Sequence, residues 1–353
     1  MMKKAMAVLV SGLTLAVGVA GCGNGNTVDG TKAVAVLDET TEVPLGEFNL
    51  MLRYLQAQME SNYGAMMGMT NIYSQDLTGS GTIYGETAKE TLMDQFKEMY
   101  VLEAEASNYG VELTDEEKSA ISDAADQFLS DNSASVKKEL GVDKAMTEHL
   151  LTLMTIQNKM YGPLTEDVDT EVSDEEAAQK RIAYVFMSTA GTEQDEDGNT
   201  IDLTDGEKAA KKQELQDILD AAKEGGDLKA AVDAANEGRD ENSQLTASEA
   251  TYGADSTSPA EEVRTAADAL ADGEFAKIIE ADSGYYAVQM ISPFDEEATA
   301  TKKDSIVNER KNTLYQENCA ALEEQHAFDV KDDVLAELTF DRRYIVNTDS
   351  TEE

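Results

Sequence analysis

The sequence has few of the residues that carry cofactor, metal and nucleic-acid chemistry. Its 353 residues include no Trp, two His, two Cys, four Pro, and 28 Lys and Arg against 71 Asp and Glu. Two His and two Cys are too few ligands for a structural zinc module, and no GxGxxG or GxxxxGK(S/T) segment is present. The formal charge of −43 argues against a nucleic-acid partner, because neutralising phosphates requires clustered Lys and Arg. We therefore expect no metal, no cofactor and no nucleic acid.

The sequence does contain enough apolar residues, 41%, to bury a core. A chain of 353 residues is typical of about two domains. The acidic excess is expected to keep the protein soluble and to repel anionic lipid head groups.

Residues 1–21 have the pattern of a secretory leader. Two lysines precede an uncharged apolar run that is short for a membrane span of ~20 residues. The run ends in Val19-Ala20-Gly21-Cys22, which resembles a bacterial lipobox, in which the cysteine becomes diacylated and forms the new N-terminus. The alternative is an ordinary leader followed by a chance cysteine. We expect an extracytoplasmic protein, lipid-anchored to the bacterial cell membrane through Cys22, with residues 22–31 as a flexible tether.

Residues 32–172 are predicted to form a helical domain. A strand candidate at residues 32–37 precedes helices whose apolar residues recur three or four positions apart. Thr114 and Glu117 form a capping box for one of these helices. The predicted inward faces carry Phe48, Leu52, Leu55, Met59, Leu92, Phe96, Met99, Leu102, Ile121, Phe128, Met146, Leu150, Leu153, Met154 and Met160.

The Gly-rich segment 62–85 within this domain is interpreted as a mobile loop. It contains Met66, Met67 and Met69, whereas most other methionines of the domain lie at helical spacing and are expected in the core. Flexible thioethers suit surfaces that accept varied apolar partners. These three methionines are therefore the candidates for client contact.

Residues 173–293 show a different pattern, in which strands alternate with helices. The apolar run at residues 182–187 predicts a central strand, and three predicted helices follow it. Asp282-Ser283-Gly284 predicts a hairpin turn between the last two strands. Residues 294–340 are predicted to form a C-terminal helix that packs on the N-terminal domain, and residues 341–353 an acidic tail.

The remaining cysteine, the histidines and the acidic clusters are not expected to form a metal or redox site. With the first cysteine lipidated, Cys319 has no disulfide partner, and its spacing predicts a buried thiol. His149 and His326 are far apart in sequence and are not expected to share a site. The acidic segment at residues 195–199 lacks the glycine and glutamate that complete an EF-hand, so it is interpreted as a solvated hairpin.

The motifs that carry a family resemblance follow one another along the chain. They are a strand and helix at residues 34–52, the strand at 181–187, Glu224-Gly225-Gly226-Asp227-Leu228, the segment 266–274 and the hairpin Asp282-Ser283-Gly284-Tyr285-Tyr286. In order and spacing they resemble extracytoplasmic foldases of the PrsA and SurA type. The resemblance implies an α+β fold. A helical SurA-like N-terminal chaperone domain, completed by a C-terminal helix, is joined to a parvulin-like peptidyl-prolyl isomerase domain with a small, mainly antiparallel sheet.

The same resemblance implies an altered catalytic site. In active parvulins two histidines lie beneath the prolyl site, and their positions fall here on Tyr184 and Tyr286. The position of a cysteine or aspartate falls near Glu237, and Ser283 belongs to the final hairpin. These four residues are the candidate catalytic set, in degenerate form.

The proline-binding wall is also altered. Where the family has a methionine and a phenylalanine, the counterparts are Pro259 and Val263, with Phe186 on the neighbouring strand. The barrier to X-Pro isomerisation is ~20 kcal/mol of amide resonance, and a catalyst binds the twisted amide in a dry apolar pocket. A shallower wall and two phenols predict weak or absent activity.

Three functions remain open at this point. The first is a membrane-anchored foldase or holdase whose partners are unfolded or nascent secreted polypeptides, and the second is an active parvulin-type isomerase with an altered site. The third, a solute-binding lipoprotein, predicts two α/β lobes with parallel sheets, which the helical first half does not favour. Oligomeric state and client identity are not indicated by the sequence.

Overall fold

The computed structural model describes residues 14–18, 27–191, 201 and 203–347. The lipidation site Cys22 and the acidic segment 192–200 lie outside them. The chain divides into two units, which we call unit 1 (Met1–Asp167 and Asn312–Glu353) and unit 2 (Val168–Lys311). Within the described residues no helix combines the length and apolar character needed to cross a bilayer.

The secondary structure is numbered in chain order. The helices are α1 (Leu45–Asn62), α2 (Gly64–Met67), α3 (Tyr84–Glu105), α4 (Asp115–Asp131), α5 (Ala134–Leu140), α6 (Lys144–Leu164), α7 (Asp174–Ala177), α8 (Asp205–Gly225), α9 (Leu228–Ala235), α10 (Glu261–Asp268), α11 (Glu296–Glu323) and α12 (Asp332–Leu335). The strands are β1 (Thr14–Gly18), β2 (Ala33–Leu37), β3 (Thr41–Pro44), β4 (Lys180–Ser188), β5 (Ala247–Tyr252), β6 (Ile279–Ala281), β7 (Gly284–Ser292), β8 (Phe328–Val330) and β9 (Arg343–Asn347).

The core of unit 1 is formed by the inward faces of α1, α3, α4 and α6, as their periodicity predicts. The rings of Phe48 and Phe96 meet with centroids 5.1 Å apart, and both side chains are fully buried. The capping box of Thr114 and Glu117 is present at the start of α4. Antiparallel strands in the order β3-β2-β8 cover one side of this core.

The second half of α11 belongs to unit 1. Cys319 and Leu322 are buried in its core. Tyr315 donates a hydrogen bond to Glu98 of α3, and the Asn318 amide donates to the backbone carbonyl of Leu164 at the end of α6. The last turns of the long helix are therefore fixed to two helices that precede it by more than 150 residues in the chain.

Two segments of unit 1 are more ordered than the sequence pattern predicts. In the segment 62–85, predicted as a mobile loop, Ile72 and Tyr73 are buried, and the Glu60 carboxylate accepts hydrogen bonds from the backbone N–H groups of Asn71 and Ile72. In the predicted tether, Gly30 is buried against the Gly141 carbonyl, where a side chain would overlap the backbone. The predicted tether of residues 22–31 therefore ends before Gly30, which packs on the folded unit.

The segment predicted as an acidic tail, residues 341–353, contains strand β9. This strand pairs with β1 in antiparallel register, with Ala16 opposite Ile345. Tyr344 is buried, and Arg53 of α1 lies over its ring with a guanidinium-to-centroid distance of 4.9 Å. The segment predicted as a tail therefore begins with a strand that is fixed to α1 through Tyr344.

Unit 2 is built on a four-stranded antiparallel sheet in the order β5-β4-β7-β6. One face of β4 presents Ala183, Val185 and Met187 to α8 and α9. On the other face Ile182 packs with Val263 of α10. The central strand was expected to be covered on both faces, but α10 covers only one end of the second face, and a cleft occupies the rest.

Two motifs of unit 2 have clear local causes. Gly226 adopts a left-handed conformation with φ of 78° at the end of α8, and the buried Gln289 side chain donates to its carbonyl and accepts from the N–H of Leu228. At the predicted hairpin, β6 ends at Ala281 and β7 begins at Gly284. A side chain at Gly284 would come within 2.2 Å of the Met187 carbonyl oxygen, so only glycine fits.

The predicted fold class is confirmed. The chain is α+β, with long helices in unit 1 and small sheets whose strand pairs, among the described residues, are antiparallel. The parallel α/β lobes that a solute-binding lipoprotein would show do not occur in this part of the chain.

Candidate functional site

The open part of the second sheet face in unit 2 forms a cleft of about 480 Å³. Its floor is the sheet, one wall is the segment leading into β5, and the other wall is the segment before α10. The lining residues are Tyr184, Phe186, Gln244, Leu245, Thr246, Ser248, Ser258, Pro259, Ala260 and Tyr286.

Three aromatic side chains form the floor of the cleft because strand pairing aligns them. Phe186 of β4 lies directly opposite Tyr286 of β7, and their ring centroids are 4.7 Å apart. Tyr184, two residues before Phe186 and hence on the same face, has its ring centroid 6.2 Å from that of Tyr286. Tyr184 and Tyr286, the two tyrosines predicted for the isomerase site, are thus adjacent on one face of the sheet.

Hydrogen bonds hold both walls in place. The Asn236 side chain, just after α9, accepts from the N–H of Leu245 and donates to its carbonyl, with both distances 2.8 Å. On the opposite side Arg264 of α10 donates to the carbonyl of Pro259 at 2.7 Å. Each wall is therefore positioned by a side chain that does not itself line the cleft.

The structure brings together four of the seven residues predicted for the isomerase site. Tyr184, Tyr286, Phe186 and Pro259 line the cleft. Of the rest, Val263 is fully buried in the core between α10 and the sheet, so the wall beside Pro259 is formed by Ala260 instead.

The other two predicted residues are exposed and lie outside the lining. Glu237 follows α9, and Ser283 sits in the β6–β7 turn, where its carbonyl accepts from the N–H of Thr189. The cleft residues that the sequence did not indicate lie chiefly in the wall that leads into β5, at residues 244–248, and most of them are polar. The sequence of β5, Ala-Ser-Glu-Ala-Thr-Tyr, has no strict alternation of apolar and polar residues, so it carries no strand signal.

The chemistry available in the cleft is apolar contact and neutral hydrogen bonding. None of the ten described lining residues has a charged side chain. The two phenols contact through tilted rings, and no hydrogen bond joins their hydroxyls. Phe186 keeps 38% of its surface exposed. The cleft therefore offers an aromatic seat for an apolar ring, with hydroxyl and amide groups at its edge, and remains open to water.

The methionines predicted for client contact lie in or next to α2 of unit 1. Met66 is 74% exposed, the highest exposure among the large hydrophobic side chains described as exposed, and Tyr63, the N-cap residue of the same helix, is 50% exposed. Met69 is half-buried, and Met67 belongs to the same short helix. An exposed apolar pair at this helix is the second candidate surface.

The two histidines occupy structural positions. His149 lies between Glu47 and Glu103, and His326 lies between Asp38 and Glu105, with each ring nitrogen within 3.1 Å of a carboxylate oxygen. Among the described residues no group of three or more potential ligands is arranged to hold a metal ion.

Cys319 is buried as its helical spacing predicts. Burial raises the pKa of its thiol to about 11, although a hydrogen bond with Tyr315 acts in the opposite direction. A thiol with this pKa carries almost no thiolate at neutral pH, so it is not positioned for nucleophilic chemistry.

No family model matches the sequence, and no curated protein matches it. Among solved structures, the chain is similar to the foldase protein PrsA from Lactococcus lactis, with 18% identity, 87% of this chain and 97% of that chain covered, and a TM-score of 0.34. A peptidylprolyl isomerase PrsA from Bacillus cereus gives 15% identity, coverage of 80% and 96%, and a TM-score of 0.28. A SurA-like chaperone from Campylobacter jejuni gives 11% identity, coverage of 85% and 98%, and a TM-score of 0.28.

Proposed function

We propose that this protein is an extracytoplasmic folding factor, anchored by a lipid on Cys22, that binds unfolded secreted polypeptides. In this proposal the cleft of unit 2 binds proline-containing segments, with weak or absent isomerase activity. Unit 1 acts as the chaperone domain and presents Met66 to clients. The lipobox-like sequence supports the anchor, and the order of the motifs supports the domain roles.

The observation that carries the proposal is the aromatic floor of the cleft. Tyr184, Tyr286 and Phe186 converge on one face of the sheet opposite Pro259, and the lining is neutral. A volume of about 480 Å³ accommodates a pyrrolidine ring and its neighbouring residues. Binding an unfolded apolar segment in such a site costs little desolvation energy, because no charged side chain of the cleft has to be buried.

The openness of the cleft favours binding over catalysis. Accelerating X-Pro rotation requires that the twisted amide bind more tightly than the planar one. Oriented hydrogen bonds achieve this best in a site from which water is excluded. Phe186 is 38% exposed, so water reaches this floor and competes for the same hydrogen bonds.

An active isomerase is the second candidate, and the two phenols favour it. Tyr184 and Tyr286 occupy the sequence positions to which the resemblance assigns the catalytic histidines, and each hydroxyl is able to donate or accept a hydrogen bond. The two candidates differ in one measurement, the isomerisation rate of an X-Pro peptide.

The experiment combines binding and catalysis on the full chain. A fluorescent peptide with a central Xaa-Pro bond is titrated for binding, and the same sequence is used in a protease-coupled isomerase assay. Phe186→Ala and Tyr286→Ala test the cleft. Phe294→Ala is the matched control, because Phe294 is also in unit 2, is 40% exposed and lies outside the cleft lining.

We expect Phe186→Ala and Tyr286→Ala to weaken peptide binding at least tenfold, Phe294→Ala to leave it unchanged, and the isomerisation rate to equal the uncatalysed one. A catalysed rate that Tyr286→Ala removes would establish the active isomerase instead. Absence of both peptide binding and suppression of client aggregation would refute the folding-factor proposal. Incorporation of labelled palmitate, lost in Cys22→Ala, tests the anchor.

A further inference from the structure

Strand β9 has two backbone edges with different partners. On the edge toward α1, the Gln56 amide donates to the carbonyl of Arg342 at 2.8 Å, and Ser61 Oγ accepts from the N–H of Val346 at 3.0 Å. The N–H and C=O of one strand residue point to the same side, and those of the next residue point to the other side. The even-numbered residues of this segment therefore face α1.

The odd-numbered residues of β9 consequently face the opposite edge, which β1 occupies. The register pairs Arg343 with Gly18, Ile345 with Ala16 and Asn347 with Thr14. In antiparallel pairing these become the hydrogen-bonded pairs, whereas Leu15 and Val17 turn their N–H groups away. The outer edge of β9 is thus satisfied by backbone from residues 14–18.

The strand that covers this edge lies in the apolar run of the predicted leader. If processing occurs before Cys22, residues 14–18 leave the mature protein, and the N–H and C=O groups of Arg343, Ile345 and Asn347 lose their partners. The inner edge remains bonded to α1, so the strand stays fixed while its outer edge is exposed. An exposed strand edge of this kind is a template for pairing with another extended chain.

We propose that the outer edge of β9 binds an extended apolar segment of an unfolded client by antiparallel strand pairing, with the leader strand as its occupant before processing. This rests on the proposed chaperone function and specifies how unit 1 holds its client. The leader strand shows the chemistry that fits, an uncharged five-residue segment of sequence Thr-Leu-Ala-Val-Gly.

Two further observations favour a client as the occupant. The exposed residues Tyr63 and Met66 belong to a segment that lies next to Arg343 of β9, since Glu60 forms an ion pair with Arg343 and a Cβ on Gly64 would lie 3.8 Å from its guanidinium group. A second copy of this chain is disfavoured, because the formal charge of −43 becomes still more negative when Lys3 and Lys4 are removed, and two such molecules repel one another.

The test uses a labelled peptide with the sequence of residues 12–20 and two forms of the protein. One form is the full chain, in which the leader strand occupies the edge. The other begins at residue 22, carries Cys22→Ser and corresponds to the processed protein, with its fold verified by circular dichroism. Full chain with Ala16→Pro is a second way to open the edge, because proline has no N–H to pair with Ile345.

Backbone methylation of the peptide distinguishes strand pairing from general apolar binding. N-methylation at Ala16 removes an N–H that faces β9, whereas N-methylation at Leu15 removes one that faces away and leaves composition the same. On the protein, Ile345→Pro removes the opposing N–H at a position where an edge strand tolerates proline, and Ile345→Val is the matched control.

We expect the processed form and the Ala16→Pro chain to bind the peptide, and the unmodified full chain to bind it at least tenfold more weakly. N-methyl-Ala16 and Ile345→Pro should each weaken binding at least tenfold, whereas N-methyl-Leu15 and Ile345→Val should change it less than threefold.

Equal effects of the two N-methyl peptides, or equal binding by the full and processed chains, would overturn the strand-pairing proposal. Concentration-dependent dimers of the processed form that the peptide dissociates would overturn it in favour of a second copy. If the processed form with Ile345→Pro suppresses client aggregation as well as the processed form without it, the strand-pairing proposal fails while the proposed chaperone function stands. If the processed form without this substitution does not suppress aggregation at all, the chaperone function is refuted.

Discussion

His149 is predicted to remain protonated far above neutral pH and to stabilise unit 1 through that charge. It joins three helices, because its ring on α6 contacts Glu47 of α1 at 2.9 Å and Glu103 of α3 at 3.0 Å. Tyr100 completes the cluster by donating to Glu47 at 2.6 Å. Partial burial lowers the pKa of His149, but the hydrogen bonds and negative charges of Glu103 and Glu47 outweigh that effect and raise the pKa to about 10.

The sign of the pH dependence follows from this raised pKa. The folded chain holds the His149 proton up to a pH of about 10, whereas the unfolded chain loses it near the ordinary value of 6.5. The stabilisation is therefore complete below pH 6.5 and is lost as the pH rises from 6.5 through 10. Above that range a neutral imidazole is left between two carboxylates, and one of them, Glu47, is only 2% exposed.

The size of the effect is limited by solvent. A shift from 6.5 to about 10 corresponds to at most ~5 kcal/mol at 1.36 kcal/mol per pKa unit. The His149 side chain is 35% exposed, so screening by water reduces the expected contribution to about 2 kcal/mol. His149→Gln should lower the free energy of unfolding of unit 1 by that amount at pH 6, and by much less at pH 10.

Two measurements check this prediction. The chain contains two histidines, so a sample with ¹³C-labelled histidine gives two ring signals, which His149→Gln and His326→Gln assign. Urea unfolding of wild type and His149→Gln at pH 6 and pH 10 gives the stability difference. Titration of His149 at or below pH 7, or a stability difference that is the same at both pH values, would refute the reasoning.

Three further predictions concern stability. Arg53→Met should raise hydrogen exchange of residues 338–347 at least ~tenfold, because Arg53 donates to the Thr339 carbonyl at 2.7 Å and packs over Phe340 and Tyr344; a fully protected segment would contradict this. Val263→Ala should destabilise unit 2 by about 2 kcal/mol in urea unfolding without altering peptide binding, since Val263 is fully buried. Weakened peptide binding with unchanged stability would show instead that Val263 contacts the peptide. Gly284→Ala should cost at least ~2 kcal/mol, because its Cβ would lie 2.2 Å from the Met187 carbonyl oxygen, whereas Gly225→Ala, a helical site with open space, should cost nothing.

The helical part of the fold was predictable because helix faces are encoded locally. Residues such as Leu92 and Phe96 recur with the helical period, and they are buried. Caps such as Thr204 with Glu207 are equally local, and this one is present at α8. A Gly-Pro pair is a typical signal for the end of a helix, yet α6 includes Gly162 and Pro163 and ends one residue later, at Leu164.

The missed strands depend on partners that are distant in sequence. Strand β8 pairs with β2, where Phe328 lies opposite Leu37. A three-residue strand has too short a pattern to be recognised by alternation. Strand β5 is an edge strand with few apolar residues, so its sequence does not distinguish it from a polar loop. The prediction for Val263 was wrong for the same reason, because burial depends on a partner distant in sequence. The resemblance places Val263 in the proline-binding wall, whereas packing against Ile182 buries it beneath the cleft.

The geometry of the cleft separates holding a client from isomerising it. Holding requires only that an apolar ring leave water for the surface of Tyr184, Tyr286 and Phe186, and burying ~100 Å² of such surface contributes about 2.5 kcal/mol. Isomerisation requires in addition that the twisted amide be preferred over the planar one. No charged side chain is among the described lining residues to create that preference. Pro259 and Ala260 are too short to extend over a bound proline ring and close the wall. We therefore expect this site to bind proline segments with little change in their rate of rotation. Introducing histidine at position 184 or 286 therefore should not by itself restore catalysis unless a larger side chain at Ala260 also closes the wall, and the protease-coupled assay on Tyr184→His with and without Ala260→Met decides between these outcomes.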